Sequence, residues 1–140
     1  MDQPESASPD SLSRVAAILI VEDDALIRLT LSDYLQDNGF KVLEASSGDE
    51  ALAIMAAPGF AVDLVFTDVM MPGITDGFAL AKWISENQPE IPVIVTSGDA
   101  EKIASAPDCG GQSQFVPKPY DLDHVAEQIR KTLDRRNGAV

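Results

Sequence analysis

Short, uniformly apolar runs are the sequence feature that most constrains the fold of this chain. Residues 15–21 and 64–66 contain only apolar side chains, and each run stops abruptly at polar residues. A strand with one solvent-exposed face alternates apolar and polar residues, whereas a uniformly apolar run is typical of a central strand covered by helices on both faces. The runs therefore predict a sheet buried between two layers of helices.

Segments with helical spacing alternate with these strand candidates along the chain. The predicted strands are 15–21, 40–45, 62–67, 91–96 and 113–117. The predicted helices start at about 25, 48, 77 and 122, and a short or frayed helix is expected at 99–106. Asp23 or Asp24 could cap the first of these helices, and Ser47 can cap the second. Strands and helices in strict alternation predict an α/β fold with a doubly wound, five-stranded parallel sheet and helices on both faces.

Composition narrows the class of protein. The chain has 140 residues, 45% of them hydrophobic, so it is expected to form one domain with a proper core. We expect a flexible tail at 1–15, the domain at 16–135 and a short tail at 136–140 with no output domain. The net charge of -13 argues against nucleic-acid binding, which depends on Lys and Arg.

The same features predict a cytoplasmic protein. The first residues are acidic and polar, unlike the basic and then apolar start of a secretory signal. The longest apolar run is too short to cross a bilayer. A single cysteine, Cys109, cannot form an internal disulfide, which fits a reducing compartment. We therefore expect no membrane partner.

Polar residues follow the predicted strands at the point where each strand ends. Since right-handed crossovers bring the carboxyl ends of parallel strands to one edge of the sheet, these side chains are expected to meet there. They are Glu22, Asp23 and Asp24 after the first strand, Asp68 after the third, Thr96 and Ser97 after the fourth, and Lys118 after the fifth.

This set of groups suits phosphoryl transfer. Carboxylates about 4 Å apart repel by roughly 4 kcal/mol per pair at an effective dielectric near 20, which favours binding of a cation such as Mg²⁺. Lys118 and Thr96 could hold the oxygens of a phosphoryl group beside it. Each residue alone is more often a helix cap, a strand-end hydroxyl or a surface charge. Only their joint occurrence at several strand ends favours the functional interpretation.

Four motifs carry a resemblance to a known family. They are residues 18–24 (ILIVEDD), 64–73 (LVFTDVMMPG), 93–98 (VIVTSG) and 115–120 (FVPKPY). In this order they resemble the receiver domain of two-component response regulators, over residues 16–134. The resemblance implies a flavodoxin-like fold and a signalling protein rather than an enzyme, one that catalyses only its own phosphorylation and dephosphorylation.

The resemblance also implies roles for the residues at the sheet edge. Asp68 would accept the phosphoryl group and ligate Mg²⁺, for which Mn²⁺ may substitute. Asp23 would bind the metal directly, Glu22 through a water molecule and Met70 through its main-chain carbonyl. Asp24 falls outside this set and is expected to cap the helix.

Thr96 would form a hydrogen bond to the phosphoryl group, and Lys118 would form an ion pair with it. Phe115 occupies the position of the switch aromatic, which moves inward as Thr96 is drawn towards the phosphate. The Lys118-Pro119 peptide is expected to be cis. Three features depart from the family pattern: segment 73–77 is one residue longer, Phe115 has no hydroxyl, and the helix after the fourth strand is interrupted.

The sequence therefore predicts a single-domain response regulator. It would receive its phosphoryl group from a histidine kinase or histidine phosphotransferase, and contact an unknown downstream protein as a monomer or weak dimer. The alternative is a small Mg²⁺-dependent phosphohydrolase with an aspartyl-phosphate intermediate. Such enzymes usually carry a second acid two residues after the nucleophile, where this chain has Met70. A third possibility is an inactive receiver used as a scaffold.

Overall fold

A five-stranded parallel sheet forms the centre of the protein. The computed structural model describes residues 15–59, 61–71, 73–98 and 113–136. The strands lie in the order β2-β1-β3-β4-β5, and every neighbouring pair is parallel. The five strands are β1 (Ala17–Val21), β2 (Lys41–Ala45), β3 (Leu64–Asp68), β4 (Val93–Ser97) and β5 (Ser113–Pro117). The predicted parallel α/β fold is confirmed.

Helices cover both faces of this sheet. They are α1 (Ala25–Asp37), α2 (Gly48–Ala56), α3 (Gly77–Asn87) and α4 (Leu122–Arg136). Successive strand residues point to opposite faces, so Leu19 joins a buried cluster with α2 and α3, while Ile18 and Ile20 join a second cluster with α1 and α4. The uniformly apolar sequence of β1 thus follows from burial on both sides.

Capping residues fix where the helices begin. The Asp24 side chain accepts hydrogen bonds from Leu26 N (2.9 Å) and Ile27 N (3.2 Å) at the start of α1. Ser47 accepts one from Glu50 N (3.1 Å) at the start of α2. Both predicted caps are confirmed. The helix predicted at 99–106 lies outside the described residues.

Three strands begin two residues later than predicted, at Ala17, Leu64 and Val93. Before β3, the Asp63 carboxylate accepts a hydrogen bond from Ala17 N (2.8 Å), so a side chain occupies a position that a strand carbonyl would otherwise take. Before β4, Pro92 has no N–H to donate to a ladder. Over the described ranges, no helix is long and apolar enough to cross a bilayer.

Candidate functional site

Sheet register brings Asp68 to the centre of the carboxyl edge. Asp68 is the last residue of β3 and pairs with Thr96 on β4. On the other side, Val21 of β1 pairs with Thr67, so Glu22 follows β1 beside the Asp68 carboxylate. The main chain of Glu22 is held there because its N–H donates to Ala45 O of β2 at 3.0 Å.

Three carboxylates meet at this edge. Glu22, Asp23 and Asp68 each offer an oxygen atom, and these three atoms all lie within 4.8 Å of one another. Glu22 and Asp68 are buried, whereas Asp23 is exposed. Asp24 caps α1 instead, and its N–H donates to Glu22 Oε2 at 3.1 Å. The convergence predicted for the sheet edge thus holds for Glu22, Asp23 and Asp68, whereas the Asp24 side chain is used as the helix cap.

Lys118 supplies positive charge to the cluster. Its Nζ lies 3.0 Å from Asp68 Oδ2 and 3.9 Å from Glu22 Oε1. The Lys118 main-chain N–H donates to Ser97 O at 2.8 Å, which holds the loop after β5 beside β4. The Lys118-Pro119 peptide is cis, as predicted. One ammonium faces three carboxylates, so the site carries an excess of negative charge.

Burial and the neighbouring carboxylate both affect the pKa of Glu22. The pKa of the Glu22 carboxyl is raised to about 7: burial is the main cause and the Asp68 charge adds to it, against the lowering effects of the Asp24 N–H and Lys118. A divalent cation would relieve this repulsion. An open cluster of carboxylate oxygens is the hard donor set that Mg²⁺ prefers, so the residues present fit this metal.

Met70 lies on the loop beside the cluster. Its N–H donates a long hydrogen bond of 3.4 Å to Asp68 Oδ1, and its side chain is 56% exposed. The loop main chain therefore runs next to the Asp68 carboxylate, as a carbonyl ligand would require.

The Thr96 hydroxyl at this edge of the sheet is buried without a partner among the described residues. Leaving a buried hydroxyl unpaired costs about 1–3 kcal/mol. Since Thr96 pairs with Asp68 in the sheet, a phosphoryl oxygen at Asp68 is a group that could satisfy this hydroxyl.

Phe115 lies on β5, opposite Val95 of β4. Its ring is partly exposed, with its centroid 6.2 Å from that of Phe78 on α3 and the planes tilted by 59°. The predicted switch residue thus occupies an outer position against α3. Motion of this ring stays a prediction.

Two close contacts at the site were not predicted from the sequence. A side chain at Gly77 would collide with the main-chain oxygen of Asp68, so glycine lets the first turn of α3 lie directly against the end of β3. Arg28 of α1 donates to Glu22 O at 2.8 Å. Residue pattern alone does not predict either contact, because each depends on how closely a helix packs against the strand end that precedes it.

The longer segment 73–77 forms a loop that leads into α3. Ile74 is 94% exposed, whereas Thr75 is buried and its Oγ1 donates to Asp49 Oδ1 at 2.7 Å. Gly73 adopts a positive φ of 101°, which favours glycine. Ile74 therefore projects outward while Thr75 ties the segment to the start of α2.

The strand order, the helices on both faces and this carboxylate edge together define a flavodoxin-like α/β domain with an acidic site at the end of its sheet. The model of the response regulator receiver domain family matches residues 18–130. The chain belongs to this family.

Similar proteins include single-domain and much longer chains. The chain is 37% identical to the sensor kinase CckA of Brucella abortus over 127 residues, which are 90% of this chain and 13% of that protein. It is 36% identical to the chemotaxis protein CheY of Bacillus subtilis over 120 residues, covering 84% of this chain and 97% of that protein. Other curated relatives are longer, and the chain spans 20–50% of their lengths.

Solved structures agree with the fold. The response regulator TrrA of Thermotoga maritima, solved in complex with Mg²⁺-BeF, superimposes with a TM-score of 0.74 at 27% identity. The match covers 84% of this chain and 99% of that one. Two-component signalling is therefore the context of this protein.

Proposed function

We propose that this protein is a Mg²⁺-dependent phosphoacceptor that takes a phosphoryl group from a phosphohistidine onto Asp68. The donor would be a histidine kinase or a histidine phosphotransferase. The observation that carries the proposal is the convergence on Asp68 of two further carboxylates, the Lys118 ammonium at 3.0 Å and the unpaired Thr96 hydroxyl.

In the forward reaction, a carboxylate oxygen of Asp68 attacks the phosphorus atom. The phosphorus–nitrogen bond breaks, and its electron pair returns to the imidazole of the donor. Lys118 holds one phosphoryl oxygen as an ion pair, and Thr96 donates its hydroxyl to another. The signal ends when the aspartyl phosphate is hydrolysed. Water attacks the phosphorus, the bond to Asp68 breaks, and inorganic phosphate leaves with the carboxylate regenerated.

Asp23 and Asp68 would hold Mg²⁺ directly, with Glu22 acting through water and Met70 through its carbonyl; Mn²⁺ would substitute. The metal supplies neutralisation of negative charge on the transferring group. The carboxylate donor set supports this assignment, as does the Mg²⁺-BeF complex of the similar TrrA.

The signal would pass from the phosphoryl group to β5. When Thr96 turns towards the phosphoryl oxygen, it vacates space into which Phe115 can move. The altered surface would contact a downstream protein, with the chain acting as a monomer or weak dimer in the cytoplasm. The match to nearly the whole length of CheY supports action through protein contact, and the net charge of -13 argues against contact with nucleic acid.

The phosphohydrolase alternative receives less support. It needs a second acid near the nucleophile to protonate the leaving group. Met70 stands two residues after Asp68 and offers only a thioether. The scaffold alternative is disfavoured because all of the reactive groups are present and close together.

The decisive test is acceptance of a phosphoryl group from a small donor. The protein is incubated with acetyl phosphate with and without Mg²⁺, and its intact mass is measured. We expect one added phosphoryl group in the presence of Mg²⁺ and none for Asp68→Asn. Asp24→Asn is the matched control, because Asn caps a helix as well as Asp does, and it should react like the wild type. No uptake by the wild type, or equal uptake by Asp68→Asn, would contradict the proposal.

A further inference from the structure

Arg28 links α1 both to the loop that follows β1 and to β2. Its Nη1 donates to Glu22 O at 2.8 Å, and its Nε donates to Glu44 Oε1 at 3.1 Å. The Arg28 side chain is only 18% exposed. The contact with Glu22 O is partly buried, whereas the pair with Glu44, whose side chain is 34% exposed, lies nearer the surface.

The carbonyl that Arg28 holds belongs to the peptide between Glu22 and Asp23. A peptide is planar, so orienting its carbonyl sets the directions in which the chain leaves towards both residues. The other side of Glu22 is held by its N–H donating to Ala45 O at 3.0 Å. Glu22 is thus fixed on one side by β2 and on the other by Arg28.

Arginine suits this task better than lysine. Its planar guanidinium presents separate donors in fixed directions, so it can serve a carbonyl and a carboxylate at once. A hydrogen bond from a charged donor is also roughly twice as strong as a neutral one. A lysine ammonium has neither the reach nor the fixed geometry to keep both contacts.

We propose that Arg28 is a positioning residue for the metal site: through the Glu22 carbonyl it holds the Glu22 and Asp23 carboxylates in the arrangement that a divalent cation needs. This inference rests on the proposed function. It assigns to Arg28 no contact with the metal or the phosphoryl group. Its effect is expected on metal affinity, because removing a group that orients a metal ligand typically weakens binding by about 10–100-fold.

The test is direct titration of Mn²⁺, with free Mn²⁺ measured by electron paramagnetic resonance. Arg28→Met removes both donors, and Arg28→Lys keeps the positive charge. We expect both variants to bind Mn²⁺ about tenfold more weakly than the wild type. Binding is measured at low temperature after circular dichroism has established that each variant is folded, so a loss of stability alone does not affect the result. If Arg28→Met does not fold, Arg28→Lys decides.

Arg130→Met is the matched control. Arg130 of α4 likewise donates to a main-chain carbonyl, that of Asn38 (3.3 Å), but at the far end of α1. Its loss should lower stability and leave Mn²⁺ affinity unchanged. Wild-type affinity in Arg28→Met would overturn the inference, and so would wild-type affinity in Arg28→Lys, since charge alone would then suffice. If the wild type does not bind Mn²⁺, or Asp23→Asn binds it equally well, the proposed function itself fails, and this inference fails with it.

Discussion

The Lys118 Nζ atom lies 3.0 Å from Asp68 Oδ2, although the two residues are separated by 50 positions in the sequence. The Lys118 ammonium, which follows β5, neutralises part of the negative charge of the Asp68 carboxylate at the end of β3. In the unphosphorylated protein this pair occupies the position where the phosphoryl oxygens are proposed to bind. The pair must therefore open or rearrange when Asp68 is modified.

Replacing Lys118 separates phosphoryl transfer from the response to it. We expect Lys118→Ala to keep some Mg²⁺-dependent phosphorylation, because Asp68 and the metal carboxylates remain. The conformational response should weaken, since the charge partner of the phosphoryl group is lost. Amide NMR spectra recorded before and after phosphorylation measure this response. A spectral change as large as that of the wild type would contradict the proposed role of Lys118.

The raised pKa of Glu22 predicts a pH-dependent stability in the metal-free protein. Folding raises this pKa from 4.5 to about 7, so the folded state holds a proton that the unfolded state releases. The resulting stabilisation is complete below about pH 4.5 and is lost as the pH rises to about 7. At about 1.4 kcal/mol per pKa unit, its upper limit is about 3 kcal/mol. Urea unfolding in EDTA should therefore show that the free energy of unfolding falls more steeply with pH over this range in the wild type than in Glu22→Gln. Equal pH dependence in the two proteins would contradict the raised pKa of Glu22.

The buried threonines 67 and 96 should respond to substitution with opposite signs. Thr96→Val removes an unpaired hydroxyl, so we expect the unphosphorylated protein to gain about 1 kcal/mol of stability. Thr67→Val removes a hydroxyl that donates to Asp68 O at 3.0 Å, so it should lose about 1 kcal/mol. Denaturant unfolding of both variants gives the comparison. A loss of stability in Thr96→Val equal to that in Thr67→Val would show that Thr96 is satisfied in solution.

Gly77 should tolerate no side chain. Gly77→Ala would bring a methyl group into the main chain of Asp68 and Val69, so α3 must shift. We expect a loss of more than about 2 kcal/mol of stability, in the range of overpacked sites, together with slower phosphorylation. Gly98→Ala is the control, because among the described residues the nearest atom to its added carbon is Lys118 Cβ, at an ordinary 3.9 Å. Equal stability of the two variants would contradict the close packing at Gly77.

Local sequence signals predicted the strands, the helices and their caps. A short apolar run marks a strand buried on both faces, and Asp24 and Ser47 stand directly before the helices that they cap. The meeting of Glu22, Asp68 and Lys118 was predictable from topology, since parallel strands end at one edge. The roles of Arg28, Thr75 and Gly77 were not. Each depends on the exact distance between elements in the folded protein, which the pattern of residue types does not give. The late start of β3 had the same origin, because the Asp63 carboxylate reaches across to Ala17.

Arginine contacts at both ends of α1 have a consequence for how the protein opens. Arg28 ties the start of the helix to Glu22, and Arg130 donates to the main chain and side chain of Asn38, the cap at its end. A helix anchored at both ends cannot fray independently at either. The α1 amides that have an intrahelical acceptor should therefore exchange with solvent as one cooperative unit, with similar protection from the second turn to the last.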